Sequence, residues 1–378
     1  MDLSLNDEQL LIKDSVERFV LNDYSFDQRK KCVAEASGYS EENWAMFAEL
    51  GWLAIPFSEE DGGLDGTAIE SMVVFEQFGR AIVVEPFIPT VVLAGGAIRL
   101  GGSSEQRKRY LPALIEGKLQ GALAFVEPQG RFDLHDLTTT ATAKGDGFVI
   151  NGYKAVVLNA PAADFLVVSA RTSGAQRDTD GVSLFVLDAK QAGISRHDFT
   201  TVDALRASEI TFENVEVGAD ALLGEAGQGL AVLQQVIDEG TFAVCAEAVG
   251  CMEVLYKDTV EYSKVREQFG QRIGSFQALQ HRMVDMFMAY EQSKSMLYMT
   301  AAYLEKGYDE EAQKYIAALK VQIGKAGKLV GQDAIQIHGG MGLTDELSTT
   351  HYFKRVTVIE NMFGNSRFHL KRFAALAG

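Results

Sequence analysis

Proline is scarce and ends early. All six prolines (Pro56, Pro86, Pro89, Pro112, Pro128 and Pro161) precede residue 162 of the 378, so the rest of the chain is free to form long unbroken helices. Cysteine is scarcer. Cys32, Cys245 and Cys251 are too few for a disulfide framework and suit a reducing compartment. Positive charge is outweighed, with 35 Lys and Arg against 52 Asp and Glu and a net charge of −17. That balance argues against nucleic acid or an anionic membrane as the main partner. No apolar run approaches the ~18 residues of a membrane span. The start, Met1-Asp2-Leu3-Ser4-Leu5-Asn6-Asp7-Glu8, is acidic and unlike a secretory signal. The six histidines (His135, His197, His281, His338, His351, His369) show no paired ligand spacing, and no Gly-x-Ser-x-Gly elbow exists. Each histidine therefore reads as a surface or core residue. With 47% hydrophobic and 23% charged residues the chain is globular, not disordered. The expectation is a cytoplasmic protein of two or three domains.

What is present changes period twice. Asn6 with Gln9 resembles a capping box, and Leu10, Leu11, Val16, Phe19 and Val20 recur at helical spacing. A second helix starts after Ser40 with Trp44, Phe47, Ala48 and Trp52, a third covers about 67 to 80, and Ala94 to Leu114 adds short helical pieces. From about residue 121 the pattern is β: the Thr138 to Thr142 run, Phe148-Val149-Ile150, Ala155 to Leu158, Phe165 to Ser169, Val182 to Leu187 and Glu209 to Phe212. Asp146-Gly147 and Asn151-Gly152 between these runs predict hairpin turns. After Gly224 to Gly229 the helical period returns. Leu230, Leu233, Ile237, Val244, Ala248 and Met252 mark one long helix, followed by helices over about 276 to 305 and 309 to 337. The domains expected are 1–120 helical, 121–225 β and 226–378 helical.

Two segments carry chemistry. Arg266-Glu267-Gln268-Phe269-Gly270 has two readings of equal weight. It ends a helix, with Arg in the last turn and Gly as a left-handed cap, or Arg266 forks to a phosphate pair while Phe269 packs on a ring. The second segment, Asp333 to Gly342, closes a helix with Gly339, Gly340 and Gly342. Those glycines make a tight turn, or let the backbone approach a nucleotide.

Taken together, these segments carry a resemblance. Arg-x-x-Phe-Gly at 266–270, Gln-x-x-Gly-Gly-x-Gly at 336–342, Ala124-Phe125-Val126-Glu127-Pro128 and Asn151-Gly152-Tyr153-Lys154 make the chain similar to the acyl-CoA dehydrogenases over nearly its full length. The resemblance implies an α+β fold: an N-terminal helical domain, a central β-barrel or sandwich, and a C-terminal four-helix bundle. It implies FAD, an acyl-CoA substrate oxidised to the trans-2-enoyl form, assembly as a dimer or tetramer, and electron-transfer flavoprotein as acceptor. It also implies that Arg266, Gln268, Phe269, Gln336, Gly339, Gly340 and Gly342 hold the ADP half of FAD across a subunit interface.

The departures from the family pattern lie at its reactive positions. The family's catalytic Glu maps to Phe363, and its alternative site on the long helix maps to Gly240. Neither residue can abstract a proton. The family's Trp-x-Thr beside the flavin appears as Val156-Val157-Leu158, its Gly-Ser-Asp loop as Gln129-Gly130-Arg131-Phe132-Asp133, and a CoA-holding Arg as Thr241. Glu360, Glu239 and Glu247 are the nearest carboxylates in sequence, and each reads first as a solvated or ion-paired helix residue. Met283, Met286, Met288, Met296 and Met299 read as adaptable core or subunit interface. The pattern resembles the smaller, base-lacking subunit of two-component acyl-CoA dehydrogenases acting on pimeloyl-CoA-like diacids or steroid side chains, whose catalytic large subunit supplies the base. Two alternatives remain open: a homo-oligomeric flavoprotein with a relocated base or altered chemistry, and a non-enzymatic scaffold.

Overall fold

A computed structural model describes residues 4–378, so the first three residues of the acidic start lie outside it. The helices are α1 (Asp7–Asn22), α2 (Phe26–Ala34), α3 (Glu41–Glu49), α4 (Ala68–Ala81), α5 (Gly96–Gly101), α6 (Ser104–Ile115), α7 (Leu230–Val265), α8 (Gln277–Leu304), α9 (Glu310–His338), α10 (Ser348–Asn361) and α11 (Ser366–Leu376). The strands are β1 (Gly121–Ala124), β2 (Thr140–Lys144), β3 (Gly147–Leu158), β4 (Phe165–Arg171), β5 (Val182–Asp188), β6 (Ile194–Thr200), β7 (Arg206–Val217), β8 (Leu222–Leu223), β9 (Glu267–Gln268) and β10 (Gln271–Arg272). The α, β, α order read from the period changes is present. Among the described residues, no helix is long and apolar enough to cross a membrane.

Local signals explain where the helices begin. The Asn6–Gln9 capping box closes the start of α1 as its spacing predicts. Thr67 with Glu70 and Ser103 with Gln106 do the same for α4 and α6. Beyond Pro161 nothing interrupts α7, which runs for 36 residues.

The chain divides into two compact units. One contains Cys32–Gly66 and Val84–Gly240 and is built on an eight-stranded mixed sheet. The sheet order is β6-β7-β3-β2-β4-β5-β8, and β1 pairs in parallel with β4. Every residue of β4 is buried, as a strand covered on both faces requires. Ile150, Leu166, Val168, Phe185, Ile210 and Phe212 fill the core.

Two turn expectations need correction. The first hairpin turns at Gly145-Asp146, because Lys144 pairs with Gly147 as the first ladder rung. Asn151-Gly152 makes no turn at all. It lies inside β3 at a register shift against β7, and a Cβ on Gly152 would come within 2.4 Å of Thr139 Oγ1. Glycine there permits a close backbone approach at a bulge, which a dipeptide rule cannot distinguish from a hairpin.

The other unit gathers the chain up to Lys31, Thr67–Val83 and Thr241–Gly378. Within it α1 is tied to α4 by Gln9–Glu70 and Arg80–Glu17, at 2.8 and 2.6 Å. On α4, Glu76 is buried and accepts from Tyr298 and Lys294 of α8, at 3.1 and 3.2 Å. The α8 methionines do not share one environment: Met286 is buried and Met288 exposed.

Candidate functional site

The Arg266 segment is a projecting hairpin. The Arg266 amide still closes on Tyr262 of α7. The chain then reverses through β9 and β10, with Gln271 paired to Gln268 and Arg272 to Glu267. Phe269 and Gly270 form the two-residue turn, with φ of 54° and 77°, the pattern of a primed hairpin turn. Gly270 is therefore a hairpin residue rather than a helix cap. Phe269 is 93% exposed. Arg266 and Gln268 are exposed too, and Arg266 has no side-chain ion pair among the described residues. An apolar ring and an uncompensated guanidinium held into solvent on a short hairpin are a ready contact for an anionic, aromatic ligand.

The glycine segment lies next to it. α9 ends at His338, and a short tight turn runs from Gly339 to Leu343. Gln336, Gly339 and Gly340 are exposed. Gly342 is buried against its own turn, where a Cβ would sit 3.0 Å from both the Ile335 carbonyl oxygen and His338 Cβ. The His338 ring stacks on Tyr262 with centroids 4.4 Å apart and planes at 25°. Through that stack the structure brings the Arg266 hairpin and the glycine segment together.

The position where a catalytic Glu was expected is a clamped turn. Phe363 sits between α10 and α11 in the left-handed region, with φ of 56°. Lys320 of α9 is fully buried. Its Nζ donates to the carbonyls of Ile359, Glu360, Met362 and Gly364 at 2.8, 3.1, 2.8 and 2.6 Å, capping the end of α10. His369 donates from Nε2 to the Phe363 carbonyl at 2.9 Å. All three carbonyls of the turn are thus held by two buried side chains. Burial draws the Lys320 ammonium down to about 8, with Cys245 and Glu360 opposing. Burial and then Lys320 hold His369 near 3. Sequence reading did not single out Lys320, and read His369 only as a surface or core residue, which its burial bears out. One signal was available: Lys320 occupies an apolar stripe with Ile316, Ala317 and Ile323.

The three alternative carboxylates are all committed elsewhere. Glu239 accepts from Arg99 at 2.6 Å. Glu247 is buried and takes both arms of Arg355 at 2.5 Å. Glu360 accepts the Ser366 amide and hydroxyl at 3.0 and 2.9 Å, holding the start of α11. Gly240 is buried within α7, and Thr241 beside it is buried as well.

In the β unit the two quoted motifs meet. Lys154 donates to Glu127 at 2.7 Å and to Ser169 at 3.0 Å, fully buried. Glu127 also accepts from the amide and hydroxyl of Thr138, at 2.7 and 2.6 Å. Burial works against the Glu127 charge, but Lys154 and Thr138 hold its carboxyl down at about 2. Nearby β3 bulges: its register against β7 jumps between Lys154 and Val157. Val156 falls in the gap with φ of 50° and is 47% exposed. A β-branched residue in that region is a genuine outlier. Arg131, with φ of 52°, repeats the conformation. Val156, Arg131, Phe269 and Phe363, four positions singled out from sequence, thus carry strained backbone, as functional sites commonly do.

Residues 6–118 match the acyl-CoA dehydrogenase N-terminal domain, 122–215 the middle domain and 227–377 the C-terminal domain. The L-prolyl-[peptidyl-carrier protein] dehydrogenase of a Serratia species is 31% identical, over 93% of this chain and 92% of that protein. The chain belongs to the acyl-CoA dehydrogenase family. Membership gives it the class of an FAD-dependent oxidoreductase acting on CH–CH bonds, with the three-part fold of that family. Butyryl-CoA dehydrogenase from Megasphaera elsdenii superposes with a TM-score of 0.90 at 26% identity, covering 100% of both chains. A variant of the Tcur3481-Tcur3483 steroid ACAD superposes with a TM-score of 0.87 at 27% identity, over 99% of this chain and 98% of that one.

Proposed function

We propose that this chain is the base-lacking subunit of a heteromeric, FAD-dependent acyl-CoA dehydrogenase, completing an FAD site whose catalytic Glu and flavin pocket belong to a large partner subunit. The observation that carries this reading is the pairing of losses with a retention. Phe363 and Gly240 stand where the resemblance places a base, and Glu239, Glu247 and Glu360 are all tied into structural contacts. The Arg266 hairpin meanwhile remains projecting and uncompensated. A site shared between chains allows each to lose the half it no longer supplies. Similarity to a steroid ACAD named by two components supports the same reading.

The donor set fits FAD. Arg266 would fork to the pyrophosphate, Gln268 and Gln336 would bond the ADP half, and Phe269 would pack on it. The glycine segment fits too: nothing lies within 4 Å of where a Cβ on Gly339 or Gly340 would point. When bound, FAD supplies the two-electron acceptor for oxidation of an acyl-CoA to its trans-2-enoyl form. The residues of this chain hold and orient; none is placed to take the α-proton. Electron-transfer flavoprotein is the proposed acceptor, a dimer or tetramer the proposed assembly, and the cytoplasm the proposed compartment.

Flavin absorbance of the chain purified alone, and then with its partner, tests this. The reading expects poor retention alone and full retention in the complex. Full retention alone would favour a homo-oligomeric flavoprotein, and none in either state a scaffold.

A further inference from the structure

The two halves of the ADP clasp come from segments about 70 residues apart in sequence, on two different helices. Their relative position must be fixed by something other than chain connectivity. Tyr262 lies one helical turn before Arg266, and the Arg266 amide donates to the Tyr262 carbonyl at 2.9 Å. His338 immediately precedes Gly339. Their rings stack at 4.4 Å, and the Tyr262 hydroxyl reaches the His338 carbonyl at 3.5 Å. The imidazole is itself held, because its Nδ1 donates to the Ala334 carbonyl at 2.8 Å. At the far side of the glycine segment, the Thr350 hydroxyl donates to the Gly342 carbonyl at 2.6 Å. The segment is therefore fixed at both ends, and the end facing α7 is fixed by one aromatic pair.

We infer that Tyr262 and His338 are positioning residues for FAD, setting the spacing between the Arg266 guanidinium and the Gly339–Gly340 backbone. This rests on the clasp reading above. A stacked pair resists sliding and tilting of α7 against α9, and clasp geometry depends on just those motions. Loss of the ring would leave both halves present but loosely registered, and ligand affinity falls when its contacts are not preorganised.

FAD titration into the assembled apo complex, followed by flavin fluorescence, tests the inference. Tyr262→Leu, which removes the ring, should raise the FAD Kd about tenfold. Tyr262→Phe keeps the stack and drops only the long hydroxyl contact, so it should stay within about twofold of the parent. A purely structural role would lower the melting temperature of the apo complex in step with any loss of affinity. Positioning predicts that the Leu variant loses affinity while its apo melting temperature matches that of the Phe variant. Should Tyr262→Leu fail to assemble, His338→Leu is the substitute, with His338→Phe as its rescue. Arg266→Ala, measured alongside, separates the two readings. If it weakens FAD while Tyr262→Leu does not, the positioning inference fails and the clasp stands. If Arg266→Ala also leaves FAD affinity unchanged, both fail.

Discussion

Lys320 Nζ lies 2.6 Å from the Gly364 carbonyl oxygen, closing a buried clamp around the turn that carries Phe363. The resemblance maps the family's base to that turn, and the Lys320 contacts hold its backbone in place. A buried ammonium serving four carbonyls also explains how φ of 56° at Phe363 is maintained, since such strain persists only where neighbouring bonds over-determine it.

Lys320→Met should destabilise the chain by about 3 kcal/mol, because several buried carbonyls lose their donor at once. Chemical denaturation measures this. A loss below about 1 kcal/mol would mean that water replaces the ammonium and the clamp is dispensable.

The Glu127–Lys154 pair predicts an acid limit. The folded carboxyl titrates at about 2 against an ordinary 4.5, so as pH falls the unfolded chain takes the proton first and is favoured. The stability from Glu127 is thus present in full above the ordinary carboxyl pKa and is lost as pH falls from there toward about 2. Glu127→Gln should cost about 3–5 kcal/mol at neutral pH by stranding a buried ammonium. Glu127→Gln with Lys154→Met should recover much of that, and equal losses in the single and double variants would refute the pairing argument.

At Val156 the expectation is a gain. The side chain is half exposed and its backbone left-handed, so Val156→Gly should raise stability by about 0.5–1 kcal/mol as strain is released. A clear loss in the thermal melt would show that the valine makes contacts worth more than the strain.

Installing the missing base should not by itself create an enzyme. Phe363→Glu leaves Leu158, whose side chain cannot hydrogen-bond, and Thr241, which carries no guanidinium, so charge developing in the transition state stays undersupported. Acyl-CoA oxidation by this variant alone is expected at background. A robust rate would mean that the carboxylate was the single missing part.

The layout of this fold was legible where signals are local. The Asn6–Gln9 box, the absence of proline after Pro161 and the period change near residue 121 all act over a few residues, and α1, α7 and the sheet begin where they indicate. Asn151-Gly152 misled because a bulge and a hairpin share one dipeptide, and only the β7 partner decides between them. In the site, Arg266, Phe269 and the glycines were readable as a motif. The Tyr262–His338 stack was not, since it joins residues 76 apart in sequence and neither is unusual alone. The Lys320 clamp was half legible: a lysine in an apolar stripe signals a buried partner, but four backbone carbonyls leave no trace in side-chain sequence. The fates of Glu239, Glu247 and Glu360 required Arg99, Arg355 and Ser366 to be placed, which sequence spacing alone cannot do.

On the function proposed above, this chain holds FAD for a partner and takes no proton itself. The most direct test is an electron-acceptor assay of the purified chain alone, supplied with FAD and a panel of acyl-CoA thioesters. No oxidation above background is expected, with activity appearing only when the partner subunit is added. Turnover by the chain alone near the enzyme median of ~10 per second would contradict it and return Glu360, Glu247 or Glu239 to the role of base.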